Sequence, residues 1–298
     1  MRLLLIFLLF LALPGWRPAT AQGRPAPADP VAAGRAAARP NSAPRFIVDL
    51  TTANRNAYLM RAPDAADDHG YLGTQLTYQT RSGLFAGAYL NSSYGPEQPL
   101  FDDYEGTLGY AHTGHGPTEW SLQYTHLFVP ASSRLLRATI TDNVGASLAH
   151  DFDFVYASLT ADGFFGGTRD VVLTWNVSRA FSLPFSARDT LHITPTFELG
   201  TGTQRFYAAS LARRVQQQIA TTKKNGLPGK TKTTSTLETP DTPGFTSTGY
   251  TLSLPISLDS RRSSFALIPD YLVPLHVPAW GNAEKLFYVS AEFTRRFW

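Results

Sequence analysis

KLFYVSAEFTRRFW, residues Lys285 to Trp298, is the stretch that decides the fold class of this chain. Apolar side chains occupy every second position, at Phe287, Val289, Ala291 and Phe293. Polar or tolerant residues fill the positions between them. A period of two predicts a β-strand with one apolar and one polar face.

The same alternation recurs from Arg45 onward, in segments separated by Gly, Pro, Asp, Asn and Ser. Segments of roughly ten residues with this alternation are typical of a transmembrane β-barrel, although a soluble β-sandwich gives a similar pattern. We predict about twelve strands, within a range of about 10 to 14, because strand boundaries taken from a sequence shift by a few residues. The predicted strands are Arg45–Asn54, Tyr71–Arg81, Leu84–Ser93, Asp103–Thr113, Thr118–Val129, Ala138–His150, Phe152–Asp162, Asp170–Ser178, Thr190–Gly202, Ser247–Leu258, Ser264–Leu275 and Lys285–Trp298.

Connection lengths favour the barrel over the sandwich. Even-numbered connections are short, and odd-numbered ones are mostly longer, as expected for periplasmic turns and outer loops. The short ones are Ser82-Gly83, Gly114–Pro117, Asp151, Asp259–Ser263 and the somewhat longer Leu183–Asp189; the long ones are Arg55–Gly70, Tyr94–Asp102, Gly163–Arg169, Thr203–Thr246 and His276–Glu284. We therefore predict an all-β fold, a closed antiparallel up-and-down transmembrane barrel, in which closure removes every sheet edge.

Prolines inside three predicted strands, Pro195, Pro255 and Pro269, conflict with a regular ladder because proline lacks the N–H donor. We expect bulges or rim positions at these residues.

The N-terminal residues predict export. Arg2 precedes an apolar run from Leu3 to Leu13, and Ala19-Thr20-Ala21 matches a cleavage site, so residues 1–21 are predicted to be a signal peptide. The apolar run is too short to span a bilayer as a helix. Residues 22–44, rich in Ala, Pro and Arg, are predicted to be a flexible linker, and residues 45–298 the barrel domain.

Composition excludes some alternatives. The chain has no Cys, which excludes disulfides and a lipid-modified cysteine. The formal net charge of +3 includes Arg2 and Arg17 of the predicted signal peptide, so it says little about partners. No later apolar run is long enough for a transmembrane helix.

The alternation, the unequal connections, the signal peptide and the terminal aromatic residue together resemble the bacterial outer-membrane β-barrel (porin-like) superfamily, over Arg45–Trp298. The resemblance implies location in the outer membrane of a Gram-negative bacterium, contact with outer-membrane lipids and lipopolysaccharide, and insertion by the barrel-assembly machinery, which would recognise Phe297 and Trp298. Strict alternation places Arg295 and Phe297 outward but Trp298 inward. Either a bulge near Thr294–Arg296 resets the phase, or Arg295 and Arg296 snorkel at the headgroups.

The two predicted faces carry different side chains. The face predicted to line the lumen carries Asp49, Glu105, Glu119, Asp170, Glu198, Asp270 and Glu292, with fewer bases at Arg81, Arg296 and His192. The opposite face carries the candidate aromatic girdle, Trp120, Trp175, Tyr104, Tyr110 and Tyr250. The alternative for the aromatic residues is core packing in a sandwich, and the alternative for the carboxylates is a filled interior in which they pair.

The longest predicted connection is the outer loop at 203–246. It contains a candidate helix, Ala208–Asn225, and a basic patch of Arg213, Arg214, Lys223, Lys224, Lys230 and Lys232. The loop could contact lipopolysaccharide phosphates, fold into the barrel mouth as a constriction, or stay solvated.

The sequence carries no motif for catalysis. Serine-dependent outer-membrane phospholipases place His and Ser two residues apart, and no His-x-Ser occurs here. His126 is followed by Leu127 and Phe128, and His112 and His115 flank a glycine without a carboxylate cluster. We predict no enzyme activity, no catalytic residues, no metal, no cofactor and no nucleic-acid partner.

The predicted function is a passive pore or small-solute channel with a mild cation preference. The alternative is a non-conducting surface barrel whose loops serve in anchoring, adhesion or ligand binding. About twelve strands lie between the filled barrels of ~8 and the open porins of 16–18, so the strand count does not decide between them. The sequence does not fix the oligomeric state.

Overall fold

The structure is a computed structural model that describes residues 44–55, 69–94, 103–113, 116–128, 140–186, 188–205, 244–277 and 283–297. The described residues form fifteen strand segments. They are β1 (Arg45–Ala53), β2 (Tyr71–Gln79), β3 (Leu84–Ser93), β4 (Asp103–Thr113), β5 (Thr118–Phe128), β6 (Ile140–Asp151), β7 (Tyr156–Gly166), β8 (Asp170–Ser178), β9 (Phe181–Pro184), β10 (Thr190–Ile193), β11 (Thr196–Gly202), β12 (Thr246–Ser253), β13 (Ile256–Asp259), β14 (Ser263–Pro274) and β15 (Leu286–Phe297).

The sheet closes on itself. From β1 to β8 each strand pairs antiparallel with the next, and β8 then pairs with β11, β11 with β12, β12 with β14 and β14 with β15. The last strand returns to the first, with Phe297 opposite Phe46 and Phe293 opposite Leu50. The circuit contains twelve barrel strands, which confirms the prediction of a closed antiparallel barrel of about twelve strands.

Three barrel strands are interrupted, which explains the excess of segments over strands. The segment β9 continues β8, β10 leads into β11, and β13 continues β12. Pro195 and Pro255 lie in two of the gaps, whereas Pro269 lies inside β14 opposite Val289. Their carbonyl oxygens accept hydrogen bonds from the N–H groups of Arg179, Thr194 and Leu254, at 3.2, 2.9 and 3.1 Å. The three prolines thus lie side by side across neighbouring strands, and two of them are in gaps, where a missing donor does the least harm.

The two ends of the barrel differ in their connections. We call the end that carries 80–83, 114–117, 152–155, 185–189 and 260–262 the turn end; the loop end carries 54–70, 94–102, 129–139, 167–169, 203–245 and 275–285. The connection 167–169 is shorter than the predicted Gly163–Arg169. The prediction was wrong for residues 163–166. Phe164 is buried and Phe165 is exposed, so the alternation of β7 continues to Gly166.

The turn between β6 and β7 also differs from the prediction. The sequence predicts a turn at His150-Asp151, with a strand beginning at Phe152. The structure extends β6 through Asp151 and places the turn at 152–155. The Asp153 N–H donates to the Asp151 carboxylate at 3.0 Å, and Asp153 adopts a φ of 66°. Phe152 and Phe154 mimic strand alternation in the sequence, although both are exposed rim residues of the turn.

The pleat gives each strand one inward and one outward face. In β2, Tyr71, Gln75 and Gln79 are buried, whereas Leu72 and Leu76 between them are exposed. The interior is therefore lined largely by polar side chains, and the large exposed apolar side chains lie outside.

Candidate functional site: the barrel interior

Polar side chains dominate the buried inner wall. Among the described residues, the buried polar side chains include Gln75, Thr77, Gln79, Asn91, Thr125, Asn143, Thr160, Thr174, Asn176, Thr251, Ser253 and Ser257. Apolar side chains such as Ile47, Phe85 and Ile268 are interspersed with them. This polarity is the reverse of a soluble barrel, whose interior is its apolar core.

Each of the seven predicted lumen carboxylates alternates in phase with the buried positions of its strand. They lie on β1 (Asp49), β4 (Glu105), β5 (Glu119), β8 (Asp170), β11 (Glu198), β14 (Asp270) and β15 (Glu292). Glu105, Asp170 and Asp270 are buried, and the other four are half-buried. Three of them lie at mid-strand on the three consecutive strands β1, β15 and β14, and the other four lie elsewhere on the wall.

We call these three, Asp49, Asp270 and Glu292, the acidic wall. Thr294 donates its hydroxyl to Asp49 at 2.5 Å, and Ser253 donates to Asp270 through a short hydrogen bond. Glu292 lies on β15 between the other two, opposite Thr51 of β1 and Ala266 of β14. Two of the three carboxylates thus receive a hydroxyl donor from a neighbouring strand, which lowers the cost of removing them from water.

The arginines of the inner wall cluster at the turn end. Arg45 begins β1, Arg179 follows β8, and Arg296 is near the end of β15. The Arg45 Nε donates to Gln79 Oε1 at 3.1 Å. The Arg179 guanidinium lies 5.1 Å from the centre of the Phe181 ring. Within the described part of the wall, basic charge therefore accumulates at the turn end, while the acidic wall lies at mid-height.

The predicted bases Arg81 and His192 do not lie at mid-height. Strand β2 ends at Gln79, so Arg81 falls in the exposed turn 80–83. His192 lies on β10 near the turn end, where its Nδ1 is 2.7 Å from the Ser182 hydroxyl and its Nε2 is 3.5 Å from Asp259 Oδ2.

Sequence reasoning missed three interior carboxylates, Asp103, Asp162 and Asp259. Asp259 lies two residues after the buried Ser257 on β13, in the same phase, and is 3.5 Å from His192 Nε2. Asp103 is fully buried at the start of β4, two residues before Glu105 and in the same phase. Asp162 is buried in β7 and accepts a hydrogen bond from Asn143 Nδ2 at 3.3 Å. Asp103 and Asp162 stand at the ends of predicted strands, and Asp259 begins a predicted turn. At such positions aspartate is typical of a turn, so these residues were not assigned to a face. Their phase relative to neighbouring inward positions was the signal that could have found them.

The girdle candidates occupy different heights on the outer face. Tyr104 stacks on Phe128 at the loop end, with ring centroids 4.9 Å apart. Tyr110 lies 5.3 Å from Trp120 near the turn end. Trp175 and Tyr250 both lie opposite Leu199 at mid-height, away from either end. An interfacial role for these residues stays a prediction, and it fits Tyr104, Tyr110 and Trp120 better than the other two.

The register of the closing strand is unbroken to its end. Thr294, Arg295, Arg296 and Phe297 pair in sequence with β1, so no bulge resets the phase. Arg295 and Phe297 lie outward, as predicted, and the Arg295 guanidinium is 5.9 Å from the Phe297 ring centre. Arg296 alternates inward. The recognition of Phe297 by an assembly machinery stays a prediction.

Several predictions fall outside the described residues. These are the signal peptide at 1–21, the linker at 22–44 except Pro44, the helix Ala208–Asn225, the basic patch, His115 and Trp298. No group of three or more His, Asp or Glu side chains in the described ranges is arranged to hold a metal ion. A search of the same ranges finds no helix that is long and apolar enough to cross a membrane.

Comparison with known proteins finds similarity in structure only. No protein-family model matches the chain, and no curated protein matches it in sequence. The KdgM porin is similar at 7% identity and a TM-score of 0.47, over 85% of this chain and 99% of that one. The NanC porin is similar at 10% identity and a TM-score of 0.44, over 83% and 98%. LpxR from Salmonella typhimurium is similar at 9% identity and a TM-score of 0.45, over 84% and 99%.

Proposed function

We propose that this chain is an outer-membrane β-barrel that forms a passive pore for small hydrophilic solutes, with a mild preference for cations. One observation carries the proposal. The barrel is closed, apolar outside and polar inside. A bilayer requires this arrangement, whereas a protein dissolved in water has the opposite one.

The outer surface supports membrane insertion. Large apolar side chains are exposed on nearly every strand, including Leu108 at 62% and Leu148 at 54%. Soluble monomers rarely expose contiguous apolar patches larger than a few hundred Å². In hydrocarbon the same side chains are solvated, and the closed ladder leaves no backbone edge without a partner.

The inner charges support cation preference. The described inner wall carries the seven predicted carboxylates together with Asp103, Asp162 and Asp259, against Arg45, Arg179, Arg296 and His192. An excess of carboxylates on a low-dielectric wall lowers the energy of a cation and raises that of an anion. The acidic wall at mid-height supports a selective step inside the barrel rather than at its mouth.

Planar-bilayer recording tests both parts of the proposal. The full chain should give discrete conductance steps, and the reversal potential in a potassium chloride gradient should have the sign of cation preference. The triple variant Asp49→Asn, Asp270→Asn, Glu292→Gln should reduce or abolish that preference, whereas Gln123→Ala, a neutral change on another side of the inner face, should leave it unchanged. Anion preference in the unaltered protein would contradict the cation assignment alone.

A non-conducting barrel is the second candidate, and the packing of the inner wall favours it. Tyr71, Phe85, Tyr89 and Phe164 are bulky inward side chains that are buried. If such side chains close the lumen, the barrel would serve as an anchor for its loops. Folded protein in the bilayer without conductance steps, together with liposomes that do not swell in small sugars, would establish this candidate and overturn the pore.

The cellular setting follows from the same proposal. We place the loop end outward and the turn end in the periplasm, because long outer loops and short inner turns are usual in such barrels. Contact with lipopolysaccharide and insertion by the barrel-assembly machinery belong to this proposal. Protease access to the 203–245 connection in intact cells tests the orientation, since cleavage only after outer-membrane permeabilisation would reverse it.

A further inference from the structure

A compact polar group interrupts the apolar outer face near the loop end of β5 and β6. We call Tyr124, His126, Thr141 and Asp142 the outer polar cluster. His126 and Asp142 lie directly opposite each other across the two strands. Their side chains are 41% and 31% exposed, so the cluster is accessible from outside the barrel.

The cluster is organised around one carboxylate. Asp142 Oδ1 accepts a hydrogen bond from the Tyr124 hydroxyl at 2.6 Å and lies 2.8 Å from His126 Nδ1. Asp142 Oδ2 accepts a hydrogen bond from the Thr141 hydroxyl at 2.7 Å. The ring of His126 also packs edge-on against Phe128, with centroids 4.4 Å apart. Three donors and an aromatic contact therefore fix the positions of Asp142 and His126.

A β-bulge creates this arrangement. The register between β6 and β7 shifts between Ile140 and Asp142, leaving Thr141 as the extra residue. Ile140 is buried inside, and strict alternation would turn Asp142 inward as well. The bulge turns Asp142 outward and frees Thr141 to bond it. Bulges often redirect a side chain in this way beside functional sites.

Apolar side chains of the outer face surround the cluster. Phe128 and Val144 next to it are exposed apolar residues of the outer face, as is Phe165 across the bulge. Charged groups on the lipid face of a barrel cost about 2–4 kcal/mol at the bilayer midplane and little near the interfaces. Ionisable groups at such positions are functional candidates by default.

The open atom of the cluster is Nε2 of His126. Because Nδ1 is bonded to a carboxylate, it carries a proton in either charge state of the ring. Three donors already bind the Asp142 oxygens. Nε2 has no partner among the described side chains, and a protonated ring would direct its second N–H outward.

We propose that His126, held by Asp142, binds the phosphate of a lipid headgroup in the leaflet at the loop end. The inference rests on membrane insertion in the proposed function, but not on conduction. It names a lipid ligand for the outer face, whereas the proposed pore concerns the inner one.

Depth and charge favour a lipid phosphate as the ligand. His126 lies two residues before the end of β5, which corresponds to about 6–7 Å along the strand. The stacked Tyr104 and Phe128 rings lie beside it, and Tyr104 belongs to the predicted interfacial girdle, at the level where headgroups begin. An imidazolium N–H to a phosphate oxygen is a charge-assisted hydrogen bond, about twice as strong as a neutral one.

Thermal unfolding of the full chain in octyl glucoside, a detergent without phosphate, tests the inference. Dihexanoyl phosphatidic acid should raise the unfolding temperature in a saturable way, because a ligand of the folded state stabilises by mass action. His126→Gln should weaken the apparent affinity at least tenfold. His112→Gln is the matched control, since His112 also lies outward on a neighbouring strand, near the turn end, stacked 5.6 Å from Trp120.

Two further probes separate the sources of the effect. Dihexanoylglycerol, which lacks phosphate, and inorganic phosphate alone should both bind at least tenfold more weakly than phosphatidic acid. The ring ¹⁵N signal of His126 Nε2 should move when phosphatidic acid is added, and this shift should be lost in Asp142→Asn, in which the positioning carboxylate is replaced.

The remaining outcomes overturn the inference. Equal stabilisation by dihexanoylglycerol would show that the site does not recognise the phosphate. Equal stabilisation by inorganic phosphate would show that it does not recognise the lipid. Release of fatty acid from the probe would show that the cluster is hydrolytic. An unchanged affinity of a folded His126→Gln protein for phosphatidic acid would contradict the inference directly. If instead the chain folds in water without detergent, the proposed membrane function itself fails.

Discussion

Phe46, the second residue of the first barrel strand, lies directly opposite Phe297, the last residue of the final strand, and their ring centroids are 6.2 Å apart. This contact closes the cylinder at the turn end on its outer face. It joins the first strand of the barrel to the last, which only closure brings together.

We therefore expect Phe297→Ala to weaken the closure. The lost cross-strand aromatic contact and apolar burial should cost about 1–2 kcal/mol of the free energy of unfolding in lipid vesicles. Urea unfolding followed by tryptophan fluorescence measures this. Phe287→Ala, on the same face near the other end of β15, is the control and should cost less, because Phe287 makes no ring contact with another described residue, whereas Phe297 contacts Phe46. Equal losses would mean that the closing contact has no special weight.

A charge on the outer face should destabilise the inserted barrel. Leu108 lies at mid-strand in β4 and is strongly exposed. Leu108→Arg should cost about 2–4 kcal/mol in vesicles, because the guanidinium would lie in hydrocarbon. Leu108→Ala is the control and should cost much less. If Leu108→Arg leaves the free energy of unfolding unchanged, this face is in contact with water.

The hydroxyl of Ser253 should matter because it donates to the buried carboxylate of Asp270. Ser253→Ala leaves that carboxylate without this donor and should cost about 1–3 kcal/mol. A double-mutant cycle with Asp270→Asn measures the coupling between the two side chains by urea unfolding. Additive effects would show that the hydrogen bond contributes nothing beyond the separate residues.

Titration of the Asp189 carboxyl group with acid should detect the hydrogen bonds of the turn at 185–189. The hydroxyl of Ser186, with that of Ser260 second, holds the pKa of Asp189 below its ordinary value. The Ser186 hydroxyl donates to Asp189 Oδ2 at 2.7 Å. A depressed carboxylate pKa contributes stability that is present above the unfolded pKa and lost as pH falls through the folded pKa. In Ser186→Ala the pKa of Asp189 should rise, whereas Ser82→Ala in another turn should not change it; carbon NMR of the carboxyl group follows both.

The broken strands show what a single sequence can anticipate about irregular structure. Bulges or rim positions were expected at Pro195, Pro255 and Pro269. The first two fall in gaps between strand segments, whereas Pro269 pairs regularly inside β14, so the expectation was wrong for Pro269. The sequence did not show that these gaps lie side by side. Their alignment depends on the pairing of β11 with β12 and of β10 with β13, which no local pattern encodes.

The bulge at Thr141 shows why the outer polar cluster was out of reach. His126 and Asp142 are 16 residues apart and meet only because β5 and β6 pair in one particular register. Strict alternation from Ile140 would place Asp142 inside the barrel. One extra residue reverses its face, and the signal for that residue is a local departure from the period.

The sequence by itself determined the strands and their outward faces. The pleat imposes a period of two, so apolar alternation predicted β3, β4 and β8 with the boundaries that the structure has. The grouping of Asp49, Asp270 and Glu292 was decided only by the tertiary structure. Asp270 and Glu292 lie on the sequential strands β14 and β15, whereas Asp49 lies on the first strand. The closure of β15 onto β1 brings Asp49 beside them, because a closed sheet leaves no strand edge unpaired.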